Sequence, residues 1–211
     1  MDKKEKSGEN YYFTIKLIHL MKYLQLTLVC ILFNVLPAFA QFRVLVSHSL
    51  RIDIQKVVAE YAEDFKNIRG EILNQNPQTI EYASNLKLND AQECSITRYS
   101  SGSKPIYSWQ ALMFASEEYD LAANKYKWLF NQLKGMNVYY IRDQYTLKGH
   151  YEEPDESKKF STTTFTLQSP PTPLKKLKIE IAMQFEFPEW KVNLLVYEKE
   201  KEDDERGATE E

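Results

Sequence analysis

Histidine, cysteine and glycine are scarce in this chain, and each scarcity removes a class of chemistry. The 211 residues hold three histidines, two cysteines and six glycines. No histidine has a second histidine or a cysteine at ligand spacing, so a zinc site has no support and no metal is expected. Gly70, Gly102, Gly135, Gly149 and Gly207 are too scattered to build a loop that turns several N–H groups onto a phosphate. No G-x-S-x-G elbow occurs, and Ser47-His48-Ser49 places its neighbouring side chains on opposite sides of an extended chain. No catalytic residue and no cofactor is expected.

A surplus of positive charge is also missing. Residues 41–197 carry 19 basic and 19 acidic side chains, and the chain's net charge of −3 comes from its C-terminal end. Without a basic field to gather phosphates, nucleic acid is excluded as the expected partner. The last residues, 198–211, hold eight acidic and three basic groups, which reads as a solvated, disordered tail.

The one long apolar run is short for a membrane span. From Tyr23 to Ala40 it covers 18 residues and is interrupted by Gln25, Asn34 and Pro37. Met21-Lys22 precedes it, and Ala38-Phe39-Ala40 ends it with small residues at −3 and −1 of a cleavage site. These are the three parts of a secretory signal peptide at 21–40, cut between Ala40 and Gln41. Residues 1–20, with Asp2, Glu5 and Glu9, read as an extension ahead of the true start at Met21. An uncleaved anchor is the competing reading. A lipoprotein is disfavoured because Val29 precedes Cys30 where a small residue is needed. The address expected is periplasmic or secreted, with membrane contact only through the signal segment.

Removal of that segment leaves Cys94 alone, so no intramolecular disulfide is expected and the core must hold the fold. A single α+β domain is expected over 41–197. After a short strand at 42–46, a helix is expected near 51–69. Ile54, Val57, Val58, Tyr61, Ala62, Phe65 and Ile68 form one stripe of 3.6 period, and Gly70 stands where a left-handed terminator would. Alternating runs predict strands at 79–88, 93–99 and 106–114. A second helix is expected after Ser116 as N-cap, with the stripe Tyr119, Ala122, Tyr126, Leu129, Phe130 and Leu133, ending at Gly135. Strands are predicted at 138–151, broken near Asp143-Gln144, and at 160–167, 177–187 and 190–197. In 177–187 the odd positions are apolar and most even ones polar, the pattern of an antiparallel sheet covered on one side.

The fold expected is therefore two amphipathic helices on one face of a mainly antiparallel sheet of about seven or eight strands. Tyr61–Gly70 and Tyr126–Gly135 share tyrosine, phenylalanine, an aliphatic, a base and a glycine at equal spacing, 65 residues apart. That similarity reads either as a duplicated helix-plus-strands unit or as the ordinary likeness of two amphipathic helices.

The remaining lead is aromatic. Tyr107, Trp109, Tyr139 and Tyr145 are the candidate binding residues, because rings with polar tips suit surfaces that are partly buried and partly wet. The expected function is a non-catalytic, exported binding or interaction protein. Its partner would be a protein, a small apolar ligand or a second copy in a homodimer. The alternative is an envelope hydrolase using His48 or His150 with an unidentified carboxylate. The acidic group Glu152, Glu153, Asp155 and Glu156 lacks the spacing of a calcium loop and reads as a solvated turn.

Overall fold

A computed structural model describes residues 49–100 and 104–198, all within one unit, Ser47–Glu211. The signal segment, the Ala40-Gln41 junction, the strand expected at 42–46, His48 and the tail beyond Glu198 lie outside the described residues. Among the described residues, two α-helices and nine strands make an α+β fold with an antiparallel sheet, slightly wider than expected.

Helix α1 runs over 49–61, followed by β1 (Arg69–Gln75), β2 (Thr79–Ser84), β3 (Glu93–Tyr99) and β4 (Ile106–Ser116). Helix α2 (Tyr119–Leu133) leads into β5 (Asn137–Tyr140), β6 (Asp143–Gly149), β7 (Phe160–Leu167), β8 (Leu177–Glu186) and β9 (Glu189–Glu198). The sheet order is β1-β2-β3-β4-β9-β8-β7-β6-β5. Each helix thus precedes a meander, and the two meanders meet through their last strands, antiparallel. This is the layout that a duplicated helix-plus-meander unit with a local twofold produces, with β5 as an addition to the second copy.

The core fills the space between the helices and one sheet face. One row crosses five strands in register, Ile96–Trp109–Val196–Ile179–Phe165, and every member is fully buried. From the helices, Ile54, Val57 and Val58 of α1 and Ala122, Tyr126, Leu129 and Leu133 of α2 close over it. Each fully buried aliphatic side chain contributes about 1.5–3 kcal/mol of transfer free energy. The Tyr126 and Thr163 hydroxyls pair there at 2.6 Å, whereas Arg69 Nε, stacked over Tyr107, is buried without a hydrogen-bond partner among the described residues.

Several expectations need correction. The helix expected to reach residue 69 ends at Tyr61. Asp64 and Phe65 then take left-handed φ of 53° and 56°, and the Phe65 N–H donates to Glu60 O in a wider turn. The turn still delivers Phe65 to the core, so the apolar stripe continued although the helix did not. Gly70 lies in β1, where a Cβ would come within 2.9 Å of Ala83 O; close strand approach, not helix termination, requires it. Gly135, at φ 68°, does end α2 as expected. Ser116 is not the N-cap: α2 starts at Tyr119, and the Ser116 hydroxyl accepts from the Glu118 N–H in the turn before it. Glu198, assigned to the tail, is the last residue of β9 and pairs with Lys176.

Both edge strands carry an irregularity. In β1 the register shifts twice against β2, which bends the ladder away from regular pairing. At β5 the Gln55 side chain of α1 takes both outward backbone groups of Tyr139. Its amide donates to Tyr139 O at 2.7 Å and its oxygen accepts from Tyr139 N at 2.8 Å. The sheet face opposite the helices is free.

Candidate functional site

The four aromatic candidates do not come together. Trp109 is 0 % exposed, at the centre of the buried row, and its indole N–H donates to Ser84 Oγ at 3.0 Å. Tyr107 points the same way, half-buried, with the Arg69 guanidinium 4.4 Å over its ring. Tyr139 is 58 % exposed on the outer strand β5, and Tyr145 is half-buried beside it in β6. Strands β9, β8 and β7 separate the first pair from the second. The four candidates share no single surface: the odd positions of β4 face the helices, so its most aromatic side is core, while Phe160 of β7 places an exposed ring on the open face.

Of the two histidines in the hydrolase alternative, His48 lies outside the described residues and only His150 can be placed. His150 is exposed and makes no hydrogen bond or ion pair among the described residues. Nearby Asp155 is occupied in capping a short 3-10 turn, accepting from the Ser157 N–H and hydroxyl. Those two donors hold its carboxyl below the usual carboxylate range. Cys94 is buried, and desolvation pushes its thiol up, which is the condition of an inert packing residue. Among the described residues no cluster of three histidine, cysteine or acidic groups could hold a metal. No described helix is long and apolar enough to cross a membrane.

The open face of the sheet forms a trough of about 330 Å³ spanning β2, β3, β4, β9, β8 and β7. Strand alternation builds it: each residue neighbouring a core position along these strands points the other way. Two rows in register make its floor. One is Glu93–Leu112–Asn193–Ala182 and the other Ser95–Gln110–Leu195–Glu180. Leucines thus occupy the centre, amides surround them, and carboxylates stand on both flanks.

The trough is acidic. Glu81, Glu93, Glu180 and Glu186 line it with a single cation, Lys191. Lys191 is committed to Glu186, which also accepts from Gln184. The ammonium and then the amide hold the Glu186 carboxyl below its usual range, and the hydrogen bond to Glu186 in turn raises Lys191. Glu180 accepts from Tyr197 OH at 2.8 Å and Thr164 Oγ1 at 3.3 Å. Glu81 and Glu93 make no hydrogen bond or ion pair among the described residues. On the floor, Asn193 is 7 % exposed and accepts from Gln110 Nε2 at 3.3 Å, leaving its own amide N–H groups unused. Ser95 is 8 % exposed, and its hydroxyl has no hydrogen-bond partner among the described residues. Neither atom is sealed from solvent, so both are open to a ligand's polar groups from the trough side.

Three other grooves are present among the described residues, one of them, of about 380 Å³, beside Tyr119 and Tyr151. A second, of about 220 Å³, lies between the turn after α1 and β9, and the Lys104–Asp64 and Lys176–Glu198 ion pairs occupy its charged groups. Another, of about 380 Å³, lies along α1 and β5 beside Ile52 and Tyr139. No protein-family model, curated protein or solved structure matches this chain.

Proposed function

We propose that this chain is an exported, non-catalytic binding or interaction protein whose working surface is the open trough of the sheet. The N-terminal segment, with its base, apolar run and small residues at 38 and 40, supports export to the periplasm or beyond. The observation that carries the binding reading is the floor of the trough. It presents polar side chains with unused hydrogen-bonding capacity on a rigid, fully paired sheet, a site that needs little reorganisation to receive a ligand. Two further facts favour a face over an edge: β1 is bulged against β2, and Gln55 takes the backbone N–H and C=O of Tyr139 in β5. A pair of side chains arranged for nucleophilic or acid–base chemistry is lacking among the described residues, which favours binding over hydrolysis.

Random linear peptides and a glycan panel, screened against the purified protein, test this. Ligands retained by the native chain are expected to be lost on Leu195→Arg, which fills the centre of the trough. They should survive Leu121→Arg, on the exposed side of α2. Ligands indifferent to Leu195→Arg, or lost with Leu121→Arg, contradict the assignment.

A further inference from the structure

Resting on that reading of the trough, we infer that its ligand is an extended polypeptide segment carrying lysine or arginine at two positions four residues apart. Charge comes first. Four carboxylates face one ammonium, and that ammonium is already paired, so the trough attracts cations and repels anions. This excludes the chain's own residues 199–211, whose seven acidic and three basic groups would be driven away.

Spacing comes second. The carboxylates stand on two flanks, Glu81 and Glu93 on β2 and β3, and Glu180 and Glu186 on β8. Between β3 and β8 lie β4 and β9, so three inter-strand gaps of about 4.8 Å put the flanks roughly 14 Å apart. An extended chain advances about 3.3 Å per residue, and only alternate side chains face the same way. Positions i and i+4, about 13 Å apart, therefore reach both flanks on one face. The side chain at i+2 then falls on Leu112 and Leu195, and an apolar residue suits it.

The floor supplies the third argument. A segment crossing the strands brings its own backbone N–H and C=O groups over Ser95, Gln110 and Asn193. The unused Ser95 hydroxyl and Asn193 amide N–H groups can pair with them, which a simple metal ion or a polyamine cannot exploit as fully.

The test is calorimetric titration of the native protein with the heptapeptide Gly-Lys-Ser-Leu-Ser-Lys-Gly. Controls are the same peptide with both lysines acetylated, the peptide with glutamate for lysine, and spermine. Binding of the lysine peptide is expected, with no binding by the acetylated or acidic forms. Glu93→Gln and Glu180→Gln, each of which keeps side-chain shape, are expected to weaken it about tenfold apiece, equivalent to about 1.4 kcal/mol. Raising salt from about 0.1 M to about 1 M shortens the screening length from ~10 Å to ~3 Å and should weaken it further. Unchanged melting temperatures for both variants separate lost binding from lost folding. Equal affinity for spermine, binding by the acetylated peptide, or indifference to both variants overturns the inference. If the earlier screen returns neutral, acidic or glycan ligands that Leu195→Arg abolishes, the trough remains the binding surface and the cationic partner alone is wrong.

Discussion

Trp109→Ala is expected to destabilise the domain by about 3–5 kcal/mol, the usual cost of removing a large aromatic ring from a packed core. Trp109 is fully buried and is flanked in register by Ile96 and Val196, which are also fully buried. Rigid strands on both sides leave little room for the cavity to collapse. The change also removes the indole donor to Ser84, whose hydroxyl keeps its bond to Leu86 O at 2.7 Å. For a domain of this size each kcal/mol moves the melting temperature by about 2–4 °C, so a fall of roughly 6–20 °C is expected. Thermal unfolding followed by circular dichroism reads it. A loss below about 1 kcal/mol would show that the indole is not a core residue, and the aromatic-surface expectation would return.

Phe65→Ala and Phe130→Ala should each cost about 3–5 kcal/mol as well, although the two residues reach the core by different routes. Phe130 lies on the buried stripe of α2, with its ring centre 4.9 Å from Tyr151 and 5.5 Å from Phe165. Phe65 sits in the left-handed turn after α1, its ring edge-to-face with Tyr61 at 6.1 Å. Alanine there keeps the strained backbone and loses the packing that compensates it. Denaturant midpoints measure both losses. Deletion of residues 200–211 is the control, and the midpoint should stay nearly unchanged. Unfolding by that deletion, with both alanine variants stable, would mean that core and tail have been assigned the wrong way round.

Where periodicity was imposed by a buried face, the fold was legible in the sequence. Strands 93–99 and 160–167 have the expected bounds, and the alternation of 177–187 correctly marks one wet side. The α2 stripe and its terminating Gly135 were legible for the same reason. Strand β1 was not, because Arg69–Gln75 is exposed along most of its length and owes its conformation to pairing with β2 rather than to its own pattern. The end of α1 was misread because a turn residue, Phe65, can face the core at a helical spacing without being helical. The break expected near Asp143-Gln144 falls at Ile141-Arg142, where Ile141 takes φ 59°, a conformation that a β-branched residue rarely adopts.

For the site, half of the information was local and half was not. Glu180 and Gln184 could be placed on a wet face from the alternation of their own strand. Asn193 joins them through the β8–β9 hairpin, but that Glu93 and Gln110 share that face follows only from the pairing of β4 with β9, which joins residues more than 70 positions apart. Aromatic content drew attention to the strand rich in rings, yet a strand central enough to be aromatic is also one that the helices cover. The polar alternates, which carry less hydrophobic signal, form the accessible surface.

Amide spectra recorded while the protein is titrated with a ligand from the peptide and glycan screen test the central claim most directly. The account predicts shifts concentrated at Glu93, Ser95, Gln110, Leu112, Glu180, Asn193 and Leu195, with the Trp109 indole signal unmoved. Shifts centred instead on Tyr139 and Ile141 of the β5–β6 hairpin, or on the outer side of α2, would contradict it.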